Sequence, residues 1–260
     1  MAGSNREVPA VIRAIDVLDT FLDGKGPRTV AEITAQLGIP RSTAYELVQT
    51  LAARQCLRPV DGHTHRYDLG LHLFELGSAY ADGVELSEEG RQVAEELVAR
   101  SGETVHVATL DGTEVVYLVK ADSPKAVRMV SAVGKRLPAH CTAVGKALLS
   151  WLDDAEVARR YGDGEWVRMT PNSLASLDAL LGELAQIRDR GLAFDDCESN
   201  VDVRCVAAPV RDAGGHVVAG LSISVPAHRA DRLTDELARH AADGAAALSA
   251  RLGYRMRVGG

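Results

Sequence analysis

The side chains whose types and spacing first suggest chemistry lie between Arg41 and Gln49: Arg41, Ser42, Thr43, Tyr45 and Gln49. Each reaches a phosphate oxygen or the edge of a base. Ala44, Leu47, Val48 and Leu51 recur among them at the helical period, so one helix would turn its apolar stripe inward and the polar set outward. Double-stranded DNA is the partner such a face implies. A second grouping, His140-Cys141, suggests a thiolate activated by imidazole. Neighbours in an extended segment point to opposite sides, however, and are poorly placed to share a proton. His140, Cys141, Cys197 and Cys205 match no familiar metal spacing, and with Cys56 the cysteines fit neither a CxxC nor a disulfide framework. The expectation is no catalytic residue, no metal and no cofactor.

The elements that must position the first group are legible around it. Thr29 stands at an N-cap with Glu32 three residues on, Gly38 supplies a left-handed stop, and Pro40 suits the first turn of the next helix. Leu57 to Leu69 reads as two strands around Asp61-Gly62, a strong hairpin signal. Two helices and a hairpin make a winged helix-turn-helix. Pro9 to Leu22 is an amphipathic helix ahead of it, and Gly70 to Gly83 a linking helix behind it. The second helix of the motif should contact DNA through Arg41, Ser42, Thr43, Tyr45 and Gln49. Thr29 before it and His63 and Arg66 on the wing add phosphate or minor-groove contacts.

The rest of the chain alternates strands and helices. Val105–Leu110 and Val115–Ala121 form a hairpin over Asp111-Gly112, and Val127–Ala132 is a third strand. Helices are expected over 143–152, 153–161, 174–190 and 231–252, and strands over Cys205–Arg211 and Val217–Val225. The fold class is α+β: a winged helix-turn-helix over 1–69, a linker helix over 70–86, and an antiparallel sheet flanked by helices over 87–260.

Composition agrees with two modules: 260 residues, 46% apolar and 25% charged. The net charge of −7 is unevenly placed, since residues 1–69 carry eight basic and eight acidic side chains and the remainder carries all of it. A neutral DNA module predicts modest affinity per subunit, with a dimer supplying the rest. No apolar run approaches the roughly 20 residues needed to span a bilayer, and no signal-peptide core precedes Pro9, so the expected setting is the reducing cytoplasm, away from membranes.

Several blocks together resemble the IclR family of bacterial transcriptional regulators: Ile39-Pro-Arg-Ser-Thr43, Tyr67-Asp-Leu-Gly70 and Gly102-Glu-Thr-Val-His106. Further on come Leu137-Pro-Ala-His-Cys-Thr-Ala-Val-Gly-Lys-Ala-Leu-Leu149, Arg204-Cys-Val-Ala-Ala-Pro-Val210 and Gly220-Leu-Ser-Ile-Ser224. The resemblance, running from about Val8 to Gly253, implies a winged helix-turn-helix joined by a helix to a GAF-like effector domain, acting as dimers or tetramers on a pseudo-palindromic operator. It implies an effector pocket at Ala143, Val144, Asp195, Cys205, Ser222 and Ser224, with Met129 as an apolar wall. Glu46 departs from the pattern, standing where members commonly carry a basic residue.

The residues themselves support such a pocket. Ser222 and Ser224 face one side of a strand, and a buried hydroxyl without a partner is destabilising by roughly 1–3 kcal/mol. A helix opening near Ala143 would seat a carboxylate, so a small organic acid is the expected effector. The reading is a ligand-responsive regulator, a repressor by preference, and not an enzyme. The alternatives are a small-molecule sensor acting through a protein partner, and a cysteine- or metal-dependent hydrolase.

Overall fold

The computed structural model describes residues 7–60, 63–82, 85–125, 132–162, 164–230 and 234–255. The chain forms two compact units, Met1–Gly83 and Val84–Gly260.

In the first unit, local signals determine the elements. Helix α1 (Pro9–Asp19) starts with proline in its first turn, and a single 3₁₀ turn over Thr20–Asp23 ends it at Gly24. Strand β1 (Arg28–Thr29) leads into α2 (Val30–Leu37). There the Glu32 N–H donates to Thr29 Oγ1 at 3.2 Å and the Thr29 N–H donates to Glu32 Oε2 at 2.7 Å, closing the capping box. Gly38 ends α2 at φ +64°, and α3 (Arg41–Ala53) follows with Pro40 as its N-cap. Strands β2 (Leu57–Val60) and β3 (His63–Leu69) pair antiparallel, with β1 on the far side of β3. Asp61 and Gly62, the expected turn, lie outside the described residues. Val17, Phe21, Ile33, Val48, Leu51, Leu57 and Tyr67 make the core under the helices. Helix α4 (Leu71–Asp82) ends the unit.

The second unit is a helix–sheet–helix sandwich. Helix α5 (Glu85–Ser101) precedes strands β4 (Thr104–Asp111), β5 (Glu114–Ala121) and β6 (Arg136–Pro138). A 3₁₀ turn over Ala139–Cys141 leads into α6 (Ala143–Leu149), then α7 (Asp154–Tyr161) and α8 (Leu177–Arg190). Strands β7 (Ala193–Asp196), β8 (Val203–Arg211) and β9 (Val217–Pro226) precede α9 (Ala227–Ala230) and α10 (Thr234–Arg251). The strands form one antiparallel sheet in the order β6-β5-β4-β9-β8-β7.

Alternation along β4 and β9 splits the core in two. Val105, Val107, Leu221 and Ile223 pack beneath α5 and α10. Ala108, Tyr117 and Ala207 pack against α6 and α8 with Val144, Leu148 and Leu184. Gly220 lets α6 approach: a Cβ there would lie 2.6 Å from Val144 Cγ2. Strands β6 and β7 and the two-residue β1 were not expected from sequence. The strand expected over Val127–Ala132 falls almost entirely outside the described residues. Among the described residues, no helix is long and apolar enough to cross a membrane.

Candidate nucleic-acid interface and ligand cavity

Helix α3 buries Ala44, Val48 and Leu51 and exposes Arg41, Ser42, Tyr45 and Gln49, with Thr43 half-buried. The exposed set differs in freedom. Gln49 Nε2 donates to Tyr67 Oη at 2.6 Å, tying α3 to the wing strand. Arg66 on β3 donates to the Pro27 carbonyl at 2.9 Å and lies 3.5 Å from Glu32. Thr29 Oγ1 accepts from the Glu32 N–H and donates to Glu32 Oε2, so its hydroxyl serves the cap; the Thr29 N–H first, and this hydroxyl second, hold the Glu32 carboxyl below its usual range. His63 sits on β3 opposite Val60, and its side chain lies outside the described part. Arg41, Ser42 and Tyr45 remain as the outward group on the first turns of α3.

In the second unit a cavity of about 140 Å³ opens on the α6 face of the sheet. Four strands supply its floor: His106 from β4, Tyr117 from β5, Cys205 from β8 and Ser224 from β9. Lys135, Leu137, Met169, Ser199, Asn200 and Val203 wall it. Ser224 Oγ lies 3.2 Å from Cys205 Sγ and 3.5 Å from His106 Nδ1, a polar row crossing three adjacent strands. The His106 and Tyr117 rings meet at 4.9 Å.

Burial sets the protonation of this floor. It lowers His106 to about 4, helped by the charge of Lys120, so the imidazole is neutral at physiological pH. It raises the Tyr117 phenol and the Cys205 thiol, and both stay protonated. The floor therefore offers neutral hydrogen-bonding groups, and Lys135 supplies positive charge at the wall.

The expected pocket residues separate on this geometry. Cys205 and Ser224 line the cavity. Ser222, buried on the same face of β9, pairs in register with His106. Asp195 on β7 is the cross-strand partner of Cys205, and its carboxylate accepts from the Glu198 N–H at 2.6 Å and from the Ser199 N–H and hydroxyl. Asp195 thus shapes the turn that carries Ser199 and Asn200 into the wall; burial raises its pKa. Asp195 and Cys205 also border a larger, more apolar cavity of about 280 Å³ with Phe194, Val206, Val225 and Leu237. Ala143 and Val144 are buried between α6 and the sheet, and the Thr142 hydroxyl accepts from the Gly145 N–H at 3.0 Å. Met129 lies outside the described residues. Sequence reasoning missed His106, Tyr117, Lys135, Ser199 and Asn200. For His106 the signal was present, as a polar residue alternating with valines on β4.

His140 and Cys141 both direct their polar atoms at the Val167 carbonyl, at 2.9 and 3.5 Å. Burial lowers the imidazole and raises the thiol, the reverse of what a thiolate–imidazolium pair requires. Among the described residues no group of three His, Cys, Asp or Glu side chains is placed to hold a metal ion.

Comparison with known proteins agrees with both units. The model "IclR helix-turn-helix domain" matches residues 10–61 and "Bacterial transcriptional regulator IclR C-terminal" matches residues 78–250. The HTH-type transcriptional regulator XynR of Escherichia coli (strain K12) is 35% identical over 226 residues, covering 86% of this chain and 88% of its own. KdgR of the same strain is 37% identical over 228 residues, covering 86% of each. An IclR homolog from Microbacterium hydrocarbonoxydans, solved with 4-hydroxybenzoate, superposes with a TM-score of 0.80 at 25% identity, covering 94% of this chain and 98% of that one.

Proposed function

The chain belongs to the IclR family of bacterial transcriptional regulators, and from that premise we propose that it represses an operon until a small organic acid fills its second unit. In this reading residues 1–69 read DNA, 70–86 connect, and 87–260 bind the effector, in the cytoplasm. Arg41, Ser42, Thr43 and Tyr45 enter the major groove; Thr29, Gln49, His63 and Arg66 brace the helix and wing against the backbone. Two copies pair through the N-terminal helices, where Val11, Ile12 and Ile15 are exposed on α1. Their recognition helices then sit roughly 34 Å apart on a pseudo-palindromic operator.

The polar row Cys205–Ser224–His106 on the cavity floor is the observation that carries the effector reading. Ser224 and Cys205 meet the ligand directly, Lys135 pairs with its carboxylate, and Asp195, Ser222, Ala143 and Val144 form the surrounding shell, with Met129 as an apolar wall. The 4-hydroxybenzoate held by the Microbacterium homolog supports an organic acid in this class of domain. Ligand shifts the DNA-binding arrangement through α4 by its differential affinity for the two states.

The test is a gel-shift of the chain's own upstream DNA at moderate salt, joined to a thermal-shift screen of keto, hydroxy and aromatic acids. An acid that raises the melting temperature should also displace the DNA. No shift of the upstream DNA would favour a sensor that acts through a protein partner.

A further inference from the structure

The face of α3 that points away from its core has a carboxylate at its centre. The buried stripe is Ala44, Val48 and Leu51, and Glu46 lies roughly 190° around the helix from it at 100° per residue. Glu46 is exposed, and among the described residues no cation pairs with it. Its neighbour Gln49 is held by Tyr67, and Glu46 follows directly on the outward group Arg41, Ser42 and Tyr45 of the first turns.

A carboxylate there is repelled by every phosphate the helix approaches. The major groove, however, offers it hydrogen-bond donors at two places, the cytosine N4 amino group and the adenine N6 amino group. Adenine presents its amino group beside the N7 acceptor, a pair that an amide matches and a carboxylate does not. Guanine and thymine present acceptors that would repel it.

We propose that Glu46 is a specificity-determining residue that requires a cytosine at one position of each operator half-site, accepting a hydrogen bond from its N4 amino group. The proposal rests on the DNA-binding reading of this unit. Glu46 acts by rejection as much as by attraction, since the wrong base leaves a desolvated carboxylate facing an acceptor.

The experiment is in vitro selection from a random duplex library with the full-length wild type, Glu46→Ala and Glu46→Gln. The wild type should return a half-site with an invariant C·G pair, whose replacement lowers affinity about tenfold or more. Glu46→Ala should keep the rest of the motif, become indifferent at that pair to within about twofold, and bind unrelated DNA more tightly. Glu46→Gln, nearly isosteric, should move the preference towards adenine. An unchanged motif in Glu46→Ala, a uniform weakening at all positions, or cytosine retained by Glu46→Gln would overturn the proposal. A wild type that selects no motif would instead remove the DNA-binding reading on which it stands.

Discussion

Gln49 on the recognition helix donates its side-chain amide to the phenol of Tyr67 on the wing strand at 2.6 Å. The contact joins the two elements that the proposed reading brings to DNA together, across 18 residues of chain, and Tyr67 is 9% exposed. Tyr67→Phe keeps the ring in the core and removes only the acceptor. It should cost about 1 kcal/mol of stability in urea unfolding of the first unit. It should also weaken operator binding by several-fold in fluorescence anisotropy, because Gln49 then competes for water or base edges. Unchanged values in both measurements would show that the bond braces nothing.

The serine pair of β9, Ser224 in the cavity floor and Ser222 beside it, gives a separable effect. Ser222→Ala with Ser224→Ala leaves the first unit untouched, so operator affinity should stay within about twofold. Any acid that stabilises the wild type in a thermal-shift screen should lose most of its effect on the double variant and no longer displace DNA. A full ligand response in the double variant would refute the assignment of this cavity.

Lys146 is buried on α6, with Nζ 2.5 Å from Glu198 Oε1 and 4.0 Å from Glu183. Glu198 belongs to the turn that carries Ser199 and Asn200 into the cavity wall. Removing one partner of a buried pair leaves an uncompensated charge, so Lys146→Met should cost about 3–5 kcal/mol in denaturant unfolding. Lys146→Met with Glu198→Leu should recover most of that loss. Equal losses in the single and double variants would mean that packing, rather than charge pairing, explains the effect.

His106 predicts a pH dependence. Its folded value is about 4, lowered chiefly by burial, against about 6.5 in the unfolded chain. Above pH 6.5 both states are neutral there and the group contributes no slope. Between 6.5 and 4 only the unfolded chain takes up the proton, so stability falls as the pH falls, by up to about 3 kcal/mol. Asp195 and Glu198 are shifted upward by burial and act with the opposite sign, so the comparison must be with His106→Gln. The fall in unfolding free energy from pH 7 to pH 5 should be smaller in that variant than in the wild type, or reversed into a rise by the carboxylates; an identical slope would contradict the buried neutral imidazole.

The N-terminal fold was legible because each of its signals is local. Thr29 and Glu32 close a cap within four residues, and Gly38 and Pro40 set the corner on their own backbone preferences. Ser222 and Ser224 were legible for the same reason, since alternation alone puts them on one face. The rest of the cavity depends on distant pairings. Strand β7 is four residues long and acidic, and it exists because Asp195 pairs with Cys205 across the sheet. Lys135 and Asn200 reach the wall from loops with no periodicity to read. Thr29 and Gln49 stand where expected, but the structure commits them to Glu32 and Tyr67, and only coordinates reveal such partners.

The account rests most directly on Arg41, the exposed cation that opens the recognition helix. Operator affinity of Arg41→Ala should be measured by fluorescence anisotropy on DNA from the chain's upstream region, beside its melting temperature. The account predicts binding lowered at least tenfold, with the melting temperature and its rise on adding a stabilising acid unchanged. Wild-type affinity in a folded Arg41→Ala protein would contradict it.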